Sequence, residues 1–459
     1  MVDVRDISKE EFGGILGLQE SYFCDLKSKR IAPAKLSRSL SAFANASGGE
    51  VYVGIEELED VDGKKRSWDG FSDQEEANAI FQVISDLDPL GSNFSGQFLR
   101  YQGAPGLVLY LAISKTQSVA HSTDGGVYRR SNASNVPLKD EALERLKYDK
   151  GVRSYENEKM SVETDEVTNS KIVIEFLIDA VPTGEPVDWL KKQFLLIDGT
   201  PTVASVLLFS DNPQASLPKR SAIKILRYKT KAEAERDYLS SDPETVEGSL
   251  YSLIYDAVDR VKEIIEGIEK IGPEGMGKVE YPQEALHEIL TNAVLHRDYS
   301  VAADVQVRIF DNRVEIESPG KLPGHVTIGN IAKTQFARNP RIVRIINKFK
   351  NPPNKDVGEG INTAFEAMEK LRLKRPEFQE TDSSVLVILR HESLASPEQI
   401  VLEYLRENNE ITNQIARDLT GIKSENTMKN VFYRLRDGGQ LEQVPKIKGK
   451  KHSWRKPTA

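Results

Sequence analysis

Apolar positions along this chain fall into two rhythms. Val51, Val53 and Ile55 alternate with polar or small neighbours in "GGEVYVGIEE", which predicts one strand over residues 48–57. Ahead of it, "LSRSLSAFANAS" puts Leu36, Leu40 and Phe43 on one helical face, and Gly48 and Gly49 let the backbone turn where a Cβ would clash. Strands are predicted at "GLVLYLAIS" (106–114), "ASVLLFS" (204–210), "AIKILRY" (222–228) and "SSVLVILR" (383–390). "VQVRIF" and "RVEIES" form a hairpin over Asp311 and Asn312. Helical spacing rules residues 249–268, where Leu253, Ile254, Val258, Val261 and Ile265 make a stripe that is either core or a dimer face. "PQEALHEILTNAVLHR" is a second helix, with Pro282 at its start and Leu286, Ile289, Leu290 and Val294 on one side.

These elements group into three zones, 1–155, 156–395 and 396–459, and together they predict an α+β multidomain chain. The polar "YENEKMSVETDEVTNS" reads as the linker between the first two.

Charge changes this picture only locally. The net charge of −8 means that nucleic-acid binding would need local basic faces. One cysteine leaves no intrachain disulfide and no cysteine-based zinc site. "MVDVRDISKEEF" lacks a secretory pattern, and no apolar run reaches the roughly 20 residues of a membrane helix, so a cytoplasmic protein is expected.

The last zone carries the clearest basic pattern. Three short helices precede a basic extended tail, a winged helix-turn-helix pattern. Thr412 and Ser424 sit at N-cap positions. The third helix offers Lys423, Asn426, Lys429, Asn430, Arg434 and Arg436, and the tail offers Lys446, Lys448, Lys450, Lys451, Arg455 and Lys456 against the single acid Glu442. Lys429, Asn430, Arg434, Lys448 and Lys450 are the expected DNA contacts. The plainer reading is a protein-contact module with a solvated tail.

In the middle zone Glu288 and Asn292 are four residues apart, on one face of a helix. "EILTNAVLHRDYS", "ESPGKLPG", "ARNPRI" and "VGEGINTAFEAM" resemble the divergent gyrase/histidine-kinase-type (GHKL) ATPase domain, an α/β sandwich, of bacterial RecG-like regulators. The resemblance covers about residues 195–392. It implies Glu288 as the water-activating acid, Asn292 as an Mg2+ ligand, Glu317 and Gly320 beside the base, and Gly358 and Gly360 near phosphate. The usual Asp-x-Gly-x-Gly is replaced here by "ESPGKLPG", and Glu359 interrupts the second glycine motif. A nucleotide site with ATP bound, and a fold that has lost ATP, both remain open.

"ESYFCDLK", "AFANASGGEVYVGIEE" and "VYRRSNASN" resemble the Schlafen-type AlbA-like domain over about residues 12–150. Nuclease members use three acids, and the matching positions are Glu20, Asp25 and Glu57, where Glu, Glu and Asp are more usual. The resemblance implies an Mg2+ or Mn2+ site on these three carboxylates, with Lys27 steadying a phosphoryl group. Lys29, Arg30, Arg129 and Arg130 are expected to position a nucleic-acid backbone. Alternatively, Glu20 pairs with Lys27 or Arg129 and the domain only binds. Cys24 is either a buried structural thiol or a thiol activated by Lys27.

Two functions follow as expectations. One is a DNA-binding transcriptional regulator, homo-oligomeric, with a nucleotide-sensing domain. The other is a metal-dependent nuclease acting on tRNA or foreign nucleic acid. A nucleotide-gated scaffold is a third.

Overall fold

The structure, a computed structural model, describes residues 3–60, 63–272, 275–278, 281–354, 360–371, 373–390, 397–420, 422, 424–444 and 452–457. The chain forms two compact units. The first holds residues 1–367 with 376–389, so the first two sequence zones share one unit. The second holds residues 368–375 with 390–459.

The N-terminal part of the first unit is built on a five-stranded sheet. Its order is Val4–Asp6, Phe94–Arg100, Leu107–Ile113, Gly49–Val53 and Cys24–Lys27. The two outer pairings are parallel and the inner ones antiparallel. Strand alternation splits the apolar residues between faces. Val51, Val53, Leu109 and Leu111 pack under the Pro33–Ala44 and Asn78–Ser85 helices through Leu36, Leu40, Phe43 and Ile80. Cys24, Leu26, Tyr52 and Val108 pack on the other face with Ile15 of the Lys9–Gly17 helix.

Three sequence expectations change here. The predicted strand over residues 48–57 breaks at Gly54, whose φ of +113° suits glycine. Gly49–Val53 stays in the sheet, while Ile55–Asp60 turns into a separate hairpin with Gly63–Trp68. "ASVLLFS" is the helix Val203–Phe209, not a strand. All seven of its residues are buried, and Thr202 caps it by accepting from the Ser205 N–H. A short run that is apolar on every side carries no period that separates strand from helix. The polar segment after residue 155 is fixed in the unit rather than strung between domains. Glu156 is fully buried and accepts from the N–H groups of Arg341 and Ile342 at 2.9 and 2.8 Å.

The remainder of the unit has a six-stranded sheet in the order Glu244–Val246, Ile223–Arg227, Val305–Ile309, Arg313–Pro319, Ser384–Arg390, Glu377–Glu380. The helices Leu250–Glu266 and Gln283–Leu295 pack together and against this sheet. Leu253, Ile254, Val258, Val261 and Ile265 are all buried inside the unit, so the stripe is core and not an open dimer face.

The second unit has helices Pro397–Glu407, Asn413–Thr420 and Glu425–Asp437 beside a three-stranded sheet ordered Ile411–Thr412, Ser453–Arg455, Glu442–Gln443. Its core joins Val401, Met428, Val431, Leu435 and a stacked Phe432–Trp454 pair at 5.2 Å. Among the described residues no helix is long and apolar enough to cross a membrane.

Candidate nucleic-acid and nucleotide sites

Asp25 and Lys27 lie two apart on the Cys24–Lys27 strand and therefore share a face. Asp25 is fully buried. Its Oδ1 accepts from Lys27 Nζ at 2.6 Å and lies 3.5 Å from Arg130 Nη2. Lys27 Nζ also donates to Glu20 Oε1 at 3.3 Å and to the Leu26 carbonyl at 3.1 Å. Two of the three expected acids thus converge, and the ammonium of Lys27 stands between them where the resemblance implies a metal ion.

The third acid goes elsewhere. Glu57 pairs with Arg66 across the hairpin at 3.2 Å. Glu56, on the opposite face of that strand, accepts from Ser28 Oγ instead. Among the described residues no group of three or more His, Cys, Asp or Glu side chains is placed to hold a metal ion. The expected carboxylate triad does not fit a shared ion in this arrangement, because Gly54 redirects the strand before Glu57. Asp25 Oδ2 nevertheless has no hydrogen-bond partner among the described residues.

Three of the four basic residues expected to hold a backbone, Lys29, Arg129 and Arg130, are engaged otherwise. Arg130 is 2 % exposed. It donates to the carbonyls of Ser21 and Cys24 at 2.9 and 3.0 Å and to Asn135 Oδ1 at 2.9 Å, and it stacks over Phe43. It is a buried brace, not a surface contact. Lys29 donates to Asp69 and to the Gly70 carbonyl at 2.9 and 3.0 Å. Arg129 pairs with Asp149 at 3.4 Å. Cys24 is not activated: burial, then the nearby Glu50 and Asp25 carboxylates, push its thiol up to about 11.

Arg30, the fourth, lies in a basic groove beside these residues, whose members Lys35, Arg38 and Tyr128 were not among the expected contacts. Lys27, Arg30, Lys35, Arg38, Tyr128 and Asn135 line an open groove of about 610 Å3 that has no carboxylate in its described lining. A usable signal existed: residues 26–49 carry Lys27, Lys29, Arg30, Lys35 and Arg38 but no acid.

In the second half of the unit a cavity of about 360 Å3 opens under the Gln283–Leu295 helix. Glu288, Asn292, Ser318, Gly320 and Gly360 reach it, among apolar side chains such as Ile289, Leu322 and Phe336. Asn292 Nδ2 donates to Glu288 Oε1 at 2.7 Å, which leaves its amide oxygen as the acceptor a cation could use. Burial raises the Glu288 carboxyl, against the Asn292 hydrogen bond that lowers it. A Cβ on Gly360, at the start of the Gly360–Lys370 helix, would lie 1.7 Å from Glu288 Oε1, so a larger residue there must push that carboxylate aside. This carboxylate sits at the helix N-terminus, a position suited to an anion.

Glu317 does not line this cavity. It accepts from Arg308 Nη1 and Ser384 Oγ, each at 2.7 Å. Ser318 takes its place in the wall and donates to the Ala293 carbonyl at 2.7 Å. Gly358 lies outside the described residues.

In the second unit, Lys429 and Arg434 pair with Glu425 and Glu398 at 2.8 and 2.6 Å, while Asn430 is exposed. Lys448 and Lys450 lie outside the described residues.

Two family models match the chain. Residues 20–139 match "Schlafen, AlbA_2". Residues 302–389 match "Putative ATP-dependent DNA helicase recG C-terminal". The chain therefore carries a Schlafen AlbA_2 domain at its N-terminal end and a RecG-C-terminal-like domain, of the ATPase type, farther on. No curated protein matches it. Among solved structures, the DIP2311 protein from Corynebacterium diphtheriae is 17% identical over 98% of this chain and 96% of that one, with a TM-score of 0.42. The N-terminal domain of a putative ATP-dependent DNA helicase RecG-related protein from Nitrosomonas europaea is 18% identical. It covers 29% of this chain and 91% of that one, with a TM-score of 0.22.

Proposed function

We propose that the chain is a nucleic-acid-binding regulator in which a nucleotide in the Glu288–Asn292 cavity controls the N-terminal domain. The observation that carries this reading is Lys115. It follows the Leu107–Ile113 strand of the N-terminal sheet, and its Nζ donates to the carbonyls of Leu322 and Val326 at 2.7 and 3.0 Å. Leu322 and Val326 both line the cavity. A ligand that moves this wall also moves a buried contact of the N-terminal domain. That gives it differential interaction with two arrangements of the unit, as a regulatory ligand requires. A triphosphate with Mg2+ is the ligand class that Asn292 and the Gly360 helix terminus suit; Mg2+ would neutralise phosphate charge. The exposed Asn430, with Lys429 and Arg434, supports a second, DNA-reading contact in the C-terminal unit.

The test measures the anisotropy of a labelled oligonucleotide with and without ATP. ATP should change the affinity within the usual coupling range of about 5- to 150-fold. Lys115→Met should leave both ligands bound but remove the change. If ATP binds to the unaltered protein and affinity does not move, the regulatory reading fails.

A metal-dependent nuclease is the second reading, favoured by the unpartnered Asp25 Oδ2 beside Glu20. It predicts cleavage of labelled RNA or DNA in Mn2+, lost in Glu20→Ala. The positions of Lys27 and Glu57 weigh against it.

A further inference from the structure

We infer that the groove lined by Lys27, Arg30, Lys35, Arg38 and Tyr128 is the nucleic-acid site of the N-terminal domain, and that it takes a single strand. This rests on the reading of that domain as a nucleic-acid module; it keeps Lys27 and Arg30 from the sequence expectation and replaces Lys29, Arg129 and Arg130 with Lys35, Arg38 and Tyr128.

The charge argument comes first. Arg30 and Lys35 are exposed and their side chains have no ion-pair partner among the described residues. In a chain of net charge −8 with 70 acidic residues, two unpaired cations sharing a groove with Lys27 and Arg38, and with no carboxylate in its described lining, make a local anion site. A phosphodiester backbone supplies repeated single charges at that kind of surface, and release of its counterions drives binding.

The aromatic argument gives the strandedness. Arg38 lies over the Tyr128 ring at 5.7 Å, and Asp124 holds both: Arg38 pairs with it at 2.7 Å and the Tyr128 hydroxyl donates to it at 3.4 Å. Aromatic rings and arginine guanidinium planes are the groups on which an unstacked base stacks, and the groove offers one of each. Duplex bases keep their faces stacked on one another, so a duplex can meet the cations but leaves the ring unused. A single strand uses both.

The groove also borders the acid pair, because Lys27 belongs to both. A strand lying in the groove passes the Glu20–Lys27–Asp25 cluster, so the site serves whichever of the two functional readings holds.

The experiment uses the full chain and labelled RNA of one sequence, single- and double-stranded, with oligothymidylate as a further single strand. Choosing duplex RNA keeps duplex-DNA contacts of the C-terminal unit out of the comparison. The single strands should bind more tightly than the duplex. The Arg30→Ala/Lys35→Ala variant should weaken single-strand binding at least about tenfold at low salt. It should also flatten the plot of log affinity against log salt by about 1.4, from roughly 0.7 per lost phosphate contact. Both side chains are exposed, so its thermal midpoint should match the parent's. Tyr128→Ala should weaken single-strand binding by about 5- to 100-fold and leave duplex binding unchanged. Unchanged binding by the double variant would overturn the groove assignment while sparing the domain-level reading. Duplex binding as tight as single-strand binding, or an indifferent Tyr128→Ala, would overturn the strand preference. No binding of any nucleic acid by the parent protein would sink both.

Discussion

Asp25 and Glu57 were expected to act together, and the structure separates their energetics sharply enough to measure. Asp25 is fully buried, and its Oδ1 lies 2.6 Å from Lys27 Nζ and 3.5 Å from Arg130 Nη2. Asp25→Asn keeps the shape but removes the one carboxylate that, among the described residues, touches the buried guanidinium. Breaking a buried ion pair by removing one partner costs about 3–5 kcal/mol. Arg130 would retain the Ser21 and Cys24 carbonyls and Asn135, and Lys27 would retain Glu20, so the cost should fall near the lower end, about 3 kcal/mol. Glu57 is 36 % exposed and pairs across the hairpin with Arg66, which is 10 % exposed; Glu57→Gln keeps an amide oxygen for that guanidinium. Glu57→Gln should cost only about 0–1 kcal/mol. Urea titration followed by far-ultraviolet circular dichroism reads both. With a slope of roughly 2–3 kcal/mol per M, Asp25→Asn should lower the midpoint by about 1–1.5 M and Glu57→Gln by less than about 0.5 M. A shift for Asp25→Asn no larger than that for Glu57→Gln would refute the buried-cluster account. The comparison also guards any cleavage assay: activity lost in Asp25→Asn is ambiguous between chemistry and unfolding, whereas activity lost in Glu57→Gln is not.

Two further outcomes follow from buried groups. Burial, then the neighbouring Lys115 and Arg129 charges, pull the Lys150 ammonium from 10.5 to about 6. Between those values the unfolded chain binds a proton that the folded one does not, so stability rises with pH, by about 1.4 kcal/mol per unit for one group, and is lost as pH falls towards about 6. Differential scanning fluorimetry from about pH 7 to pH 9 should show the parent gaining stability relative to Lys150→Met, and parallel curves would refute it. Gly360→Ala places a methyl 1.7 Å from Glu288 Oε1 and must displace that carboxylate from Asn292. ATP affinity by titration calorimetry should fall about tenfold or more, as expected for one charge-assisted hydrogen bond of about 1.5–3 kcal/mol. Unchanged affinity would mean that the ligand does not use this end of the cavity.

What the sequence disclosed was backbone geometry. Gly48 has φ +82° and a Cβ there would lie 2.6 Å from the Ile113 carbonyl; a Cβ on Gly49 would lie 2.4 Å from Phe43. Steric demands of that kind leave glycine in the letters, so the helix–Gly-Gly–strand block was legible. Burial of charge was not. Arg130 reads like any surface arginine until the Ser21 loop closes over it. The phase of Glu57 was lost for a related reason: a strand pattern read straight through Gly54 assigns the wrong face to every residue after it. The groove cations were in view as a run of bases without acids, but they are spread over a strand end, a turn and a helix, and no single period gathers them.

The case for regulation finally rests on how the two sites of the first unit are joined. Phe336, which lines the cavity, is packed so closely against Gly151 and Gly324 that a Cβ on either would lie 2.6 or 2.9 Å from its ring. Lys150, next to Gly151, donates to the Ala44 and Thr116 carbonyls, each at 2.6 Å. Thr116 adjoins Lys115, whose ammonium holds the cavity wall. Ala44 ends the Pro33–Ala44 helix that carries Lys35 near its other end and Arg38 at its middle. A helix of 12 residues is a rod of about 18 Å, and a rod displaced at one end moves at the other. The cavity wall and the helix that carries Lys35 and Arg38 are therefore joined by a short run of contacts, most of them polar. Its hydrogen bonds are worth about 1 kcal/mol each, so the proposed regulation would require one or two of them to be remade to reach a coupling of about 1–3 kcal/mol. A nuclease that worked without a signal would gain nothing from that connection. The proposed control of nucleic-acid binding by a nucleotide would depend on it.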